Sequence, residues 1–279
     1  MPVIAMTREM GSGGREVAQR VADELQLTLV LHHLVEHEIA DHLELREDAV
    51  HHLLEGGATL TERLQVGSGR LARYTAEEIL ELANRGNVLI RGWGACLVLR
   101  EVPHVVRVRV CAPMDVRERT VMQRQGIKDR QTARREIERN DATHKRILRN
   151  VYGVDREEAL LYDLMLNTER CSIETSTKLV CDLADRTEFR ETNASRAILN
   201  DKTLEAHIRI KLRERFGTGL GAMGVTGIEA TAHNGKIVLR GTAIHGVLVD
   251  DASKLASAVP GVKEVENQMV IVHGPRAFT

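Results

Sequence analysis

The strongest constraint on this chain lies between Val3 and Leu25, VIAMTREMGSGGREVAQRVADEL, where a short apolar run passes through a glycine cluster directly into a helical pattern. Strand, glycine loop and helix in immediate succession form the layout of a phosphate-binding loop. Gly11, Gly13 and Gly14 carry no Cβ and accept positive φ, so backbone N–H groups can turn inward at the helix start and approach an anion. Val17, Val21 and Leu25, backed by Ala18 and Ala22, recur at helical spacing and would seat that helix on a sheet. The residues alone leave two readings open, a phosphate site and a plain glycine-rich turn between strand and helix.

The loop departs from G-x-x-x-x-G-K-[ST], which supplies a lysine for the phosphates and a hydroxyl for magnesium. With Gly13 as the second motif glycine, Gly14 fills the lysine slot, Arg15 the hydroxyl slot, and Arg8 stands where the first glycine belongs. Arg15 is the candidate replacement cation, because a guanidinium is always charged and binds phosphate bidentately. Glu16 is the nearest group able to meet a metal ion, and beside phosphates a carboxylate needs a cation between.

Apolar runs at Val3 to Met6, Leu27 to Leu31, Val88 to Ile90, Val105 to Val110 and Leu164 to Leu166 read as buried strands separated by helical patterns. That alternation predicts an α/β fold, a parallel sheet with helices on both faces and ligands beyond the carboxyl ends of the strands. In YDLMLNTER, strand alternation puts Asp163, Met165 and Asn167 on one face, with Asn167 and Thr168 at the carboxyl end, where Asn167 either meets the nucleotide or satisfies the strand end. A net charge of −1 gives no pull toward nucleic acid. No apolar run approaches the ~20 residues of a membrane span and Met1 to Ala5 lacks a signal peptide's basic region, so the expected location is cytoplasmic. Cys96, Cys111, Cys171 and Cys181 form no C-x-x-C pair and read as reduced, mostly packed thiols.

Around Thr187 to Leu199 the pattern loosens into polar, irregular sequence that reads as a linker. A new pattern follows: Asp201 as the cap of a helix carrying Leu204, Ile208 and Leu212, a hairpin at Asn234-Gly235, a helix near Val247 to Val259, and the strand sequence VKEVENQMVIV.

The segment TREMGSGGREVA resembles the opening of the cytidylate kinase-like family, a branch of the P-loop nucleoside monophosphate kinases whose members begin with S-R-E-x-G-S-G-G-R-E. NVLIRGWGACLVLRE, HVVRVRVCAPMDVRERTVMQRQGI and YGVDREEALLYDLMLNTERCSIE resemble later blocks of that family, in order and at similar spacing. The resemblance implies a P-loop kinase-like three-layer sheet over residues 1–186 and ATP-dependent phosphoryl transfer, with Mg2+, to a nucleoside monophosphate (cytidylate-like) or related small acceptor. It places acceptor binding between Leu34 and Arg85, and donor contacts at Arg8, Gly11, Ser12, Gly13, Gly14, Arg15 and Glu16. The stretch Ala112 to Arg156 holds ten Arg and two Lys against seven Asp and Glu. Arg117 and Arg119 would begin the helix after the fourth strand, and Arg139, Lys145 and Arg146 would fall in or near a mobile lid. Arg15, Arg119, Arg139 and Arg146 are the candidate catalytic cations, against a reading of the lid arginines as a solvated helix face. Residues 200–273, through GKIVLRGTA and PGVKEVENQMVIV, resemble a BON domain, which implies an accessory module for a ligand, a membrane surface or a protein partner.

Two departures bear on activity: Trp93 stands where G-R-G-A would put an arginine, and His32 and His33 stand where relatives show an aspartate and a basic residue. A nucleotide-binding pseudokinase, or a sensor signalling through the BON-like part, is therefore the alternative reading. A third comes from His33, Glu36 and His37, which spell the H-x-x-E-H pattern of a zinc peptidase, in a chain with 12 His and nothing that singles out a third ligand. No metal site is assigned.

Overall fold

A computed structural model describes residues 1–30, 37, 39–40, 43, 45–54, 68–92, 94–217 and 224–272, which divide into two compact units, Met1–Thr192 and Asn193–Thr279. The H-x-x-E-H string lies outside these residues except for His37, whose Nδ1 meets Glu47 Oε1 at 2.7 Å. Trp93, His32 and His33 also lie outside them.

In the first unit the strands are β1 (Val3–Arg8), β2 (Thr28–Val30), β3 (Val88–Arg91), β4 (Val105–Cys111) and β5 (Leu164–Asn167). They form a single parallel sheet in the order β2-β3-β1-β4-β5. The central position of β1, flanked by β3 and β4, sends the glycine loop out at the middle of the sheet's carboxyl end. Helices cover both faces: α1 (Gly14–Leu25), α2 (Glu47–Leu54), α3 (Ser68–Arg85), the short α4 (Ala95–Val98), α5 (Met114–Gln125), α6 (Arg130–Tyr152) and α7 (Ile173–Ala184). Val17, Ala18 and Val21 of α1 pack with Ile4, Met6, Leu89, Val106, Val108 and Val110, so the 3.6-residue stripe meets the 2-residue alternation of the strands. Each buried valine or leucine there contributes about 1.5–3 kcal/mol relative to exposure. All four cysteines are free, and burial pushes the Cys96 thiol up to about 12, which leaves it inert.

The second unit holds α8 (Asn193–Phe216), β6 (Val225–His233), β7 (Lys236–Ala243), α9 (Gly246–Ser257), β8 (Glu264–Asn267) and β9 (Val270–Ile271). β6 and β7 form an antiparallel hairpin, and β8 and β9 each run parallel to β7. Asn234 and Gly235 take φ of 51° and 81°, the left-handed pair that a two-residue turn requires.

The start of this unit differs from the sequence reading. Residues 193–199, read as linker, are the first turns of α8, and Leu199 is fully buried. Asp201 therefore lies inside the helix and does not cap it. Its carboxylate instead accepts the N–H groups of Asn234 at 2.6 Å and Gly235 at 2.9 Å, clamping the hairpin turn from a buried position. Asp201→Ala is expected to leave two turn amides unserved and cost about 2–4 kcal/mol. Hydrogen exchange at Asn234 and Gly235 checks this, with faster exchange expected there than in α8.

Candidate functional site

All five strands of the first sheet run parallel, so Arg8, Arg91, Cys111 and Asn167 finish on one edge, and the loop Glu9 to Gly13 rises between them. The loop is pinned from beneath. Glu9 N donates to Val110 O at 3.0 Å, Ser12 N to Glu9 O at 3.1 Å, and the buried Ser12 Oγ to Val110 O at 3.2 Å. From the end of β5, Thr168 Oγ1 donates to Ser12 O at 2.7 Å.

Gly11 and Gly13 hold φ of 80° and 71°, the left-handed region closed to most side chains. A Cβ on Gly11 would stand 2.6 Å from the carbonyl oxygen of Arg117, and one on Gly14 would stand 2.7 Å from Arg8 Cβ. The absence of side chains thus lets α1 start hard against the end of β1. Gly13 caps α1 and brings no side-chain acceptor to the first-turn amides, which leaves the positive end of the helix dipole uncapped by its own N-cap residue. That arrangement can bind an anion. Arg15 and Glu16 are exposed on this first turn.

Behind the loop lies a charge network that sequence reasoning missed apart from Arg117. Arg109 Nη2 donates to Glu9 Oε1 at 2.8 Å, and Arg109 Nη1 donates to Arg156 O. Arg117 grips Asp141 bidentately at 2.8 and 2.9 Å, donates from Nε to Met10 O at 2.7 Å, and stands 3.6 Å from Glu9. Arg156 reaches Asp141 at 3.4 Å and Glu9 at 3.9 Å. The three guanidiniums are almost fully buried and face two carboxylates. Burial is the largest single influence and works against the charge of Arg109, but the hydrogen bond to Glu9 together with the electrostatic pull of Tyr162, Glu9 and Cys111 outweighs it and holds the pKa above its ordinary value. The network ties β1, β4, α5 and α6 to the loop backbone. The signal for it was arginine alternating with valine in VVRVRVC, an unusual charge pattern for a buried strand.

The other candidate cations fall elsewhere. Arg119 is exposed and pairs with Asp115 across one helical turn at 2.9 Å, so Arg117, two positions earlier, is the residue of α5 that faces the loop. Arg139 and Arg146 are exposed on α6, while Lys145 pairs with Asp155 at 3.4 Å. Asp163 binds the backbone and guanidinium of Arg107, bracing β4 against β5. Asn167 Oδ1 accepts Glu169 N at 3.0 Å, which satisfies the strand end.

Among the described residues, no helix is long and apolar enough to cross a membrane. Residues 3–170 match the model of the cytidylate kinase-like family, and residues 200–273 match that of the BON domain. A cytidylate kinase of Pyrobaculum aerophilum is 26% identical over 182 residues, covering 65% of this chain and 92% of that protein. A cytidylate kinase of Methanopyrus kandleri is 29% identical over 170 residues, 58% of this chain and 82% of its own length. The crystal structure of an uncharacterized protein from Eubacterium ventriosum superposes with a TM-score of 0.53 at 22% identity, covering 66% of this chain and 98% of that one, and shares the fold.

Proposed function

We propose that this chain, which belongs to the cytidylate kinase-like family, is an ATP-dependent phosphotransferase that phosphorylates a nucleoside monophosphate, with cytidylate as the first acceptor to try. The observation that carries this reading is the open, uncapped start of α1 beneath a two-glycine left-handed loop at the carboxyl edge of a parallel sheet. In it the donor phosphates lie against the loop amides and the helix dipole, and Arg15 adds charge from the first turn. Arg117 acts through the loop, holding the Met10 carbonyl so that the amides that follow keep their direction. Phosphoryl transfer spreads negative charge over the equatorial oxygens, and Arg139 and Arg146 are the cations that α6 would bring to that charge on closure. The BON-like residues 200–273 contribute an interaction or sensing role from the unit that begins at Asn193, and the expected location is the cytoplasm.

Magnesium usually travels with ATP, and the donor set among the described residues does not fit an ion held by protein side chains. The Ser12 and Thr168 hydroxyls are committed to Val110 O and Ser12 O, and Glu9 is committed to Arg109 and Arg117. Glu16 is the loop's remaining carboxylate, and among the described residues no three His, Cys, Asp or Glu gather in a metal-binding group.

The test is a panel of nucleoside monophosphates with ATP supplied in magnesium buffer, reading ADP and nucleoside diphosphate together. Stoichiometric formation of both with at least one acceptor is expected. Tight ATP binding with no product for any acceptor would replace the kinase by a nucleotide sensor.

A further inference from the structure

The loop does not account for Arg91. This arginine ends β3, the strand beside β1, and lies opposite Met6. Side chains alternate along a strand, so Arg91 shares the face of Leu89, which packs in the cluster that α1 covers. Two residues past Met6 on that same face is Arg8, the residue against which Gly14 packs. Arg91 thus lies on the α1 side of the sheet, one strand away from the end of β1 and within electrostatic reach of Arg15 and Glu16 on the first turn of α1.

Arg91 is 7% exposed, and its Nε and Nη1 are buried with no hydrogen-bond partner among the described residues. A guanidinium can scarcely be deprotonated and carries five donors, so burying it with two nitrogens unserved is costly. Its electrostatic surroundings add to that cost. Burial first, then the like charges of Arg15 and Arg124, pull its pKa below the ordinary value, and Glu16 alone opposes them. A desolvated cation among cations beside an uncapped helix start suits an anion.

We infer that Arg91 is a phosphate-binding residue whose guanidinium supplies, from the neighbouring strand, the positive charge that the loop's missing lysine and its ill-suited metal donors do not. The ligand chemistry is a phosphate oxygen pair, from the donor nucleotide or from the acceptor monophosphate. Because the charge belongs to the protein, nucleotide binding persists without a divalent ion. This rests on the kinase reading above and deepens it.

The test uses the full chain, with Arg91→Met removing the charge at similar volume and Arg91→Gln as a polar, uncharged second variant. Thermal melting and calorimetric titration are run with ATP and, separately, with CMP, each in EDTA and in magnesium. Without ligand, both variants should melt above the wild type, since an unpaired buried charge has gone. In EDTA the wild type should bind, and the variants should bind about ten-fold more weakly or worse, the loss of a charge-assisted bidentate contact. A loss confined to ATP places the guanidinium on the donor, and a loss confined to CMP places it on the acceptor. Equal binding by wild type and variants in EDTA would overturn the inference, as would wild-type binding that vanishes without magnesium. Failure of both variants to fold would overturn it too, because the guanidinium would then be serving the fold. None of these outcomes touches the kinase reading, which fails only if the wild type makes no nucleoside diphosphate.

Discussion

Arg117→Met is expected to destabilise the first unit by about 3–5 kcal/mol, the cost of breaking a buried ion pair from one side. Arg117 is the member of the network with most connections: two bonds to Asp141, one to the Met10 carbonyl, and a position 3.6 Å from Glu9. Methionine keeps much of the volume but leaves Asp141 with the more distant Arg156 and leaves the Met10 oxygen unserved. Replacing both Arg117 and Asp141 should cost less than the sum of the single changes, since the second removes the carboxylate orphaned by the first. Denaturant unfolding of the two single variants and the double variant measures this. Additive losses would show that the pair does not act as a unit.

A change of one methyl group should silence the loop. Gly11→Ala forces a side chain into φ of 80° and drives its Cβ to 2.6 Å from the Arg117 carbonyl oxygen, a backbone atom that cannot rotate aside. The loop must shift, and displacement of aligned amides by about an ångström is worth on the order of 100-fold in binding and turnover. Gly13→Ala is the control. Its Cβ would meet the terminal methyl of Ile173 at 2.7 Å, a side-chain atom that can move, so its loss should be smaller. Titration with ATP ranks the two variants, and equal affinities would contradict this account of the loop.

The sheet was legible because strands buried on both faces read as continuous apolar runs, and VIAM, VLI and VVRVRV fall within β1, β3 and β4. The glycine loop was legible because positive φ and close backbone approach leave few other residue choices. The ion network was not. Glu9, Asp141 and Arg156 are far apart in sequence, and nothing in the interleaved charges of RREIERND distinguishes Asp141, which turns inward, from the carboxylates that face water. Arg119 and Arg117 are two residues apart on a helix, so they face different ways, and only packing against the loop decides which is buried. Asp201 showed the same limit: a helix-cap residue type serves equally well on a turn brought to it by the fold. Arg91 was visible as a charge closing the apolar run VLI, but its meaning depends on two buried nitrogens that meet no partner among the described residues, which packing alone decides.

The most direct test of the central claim is to incubate the full chain with ATP and CMP and follow both nucleotides by mass spectrometry. Equal amounts of ADP and CDP, with on the order of 100-fold less formed by Gly11→Ala, is the predicted result. ATP that stays intact in the presence of every nucleoside monophosphate would contradict it.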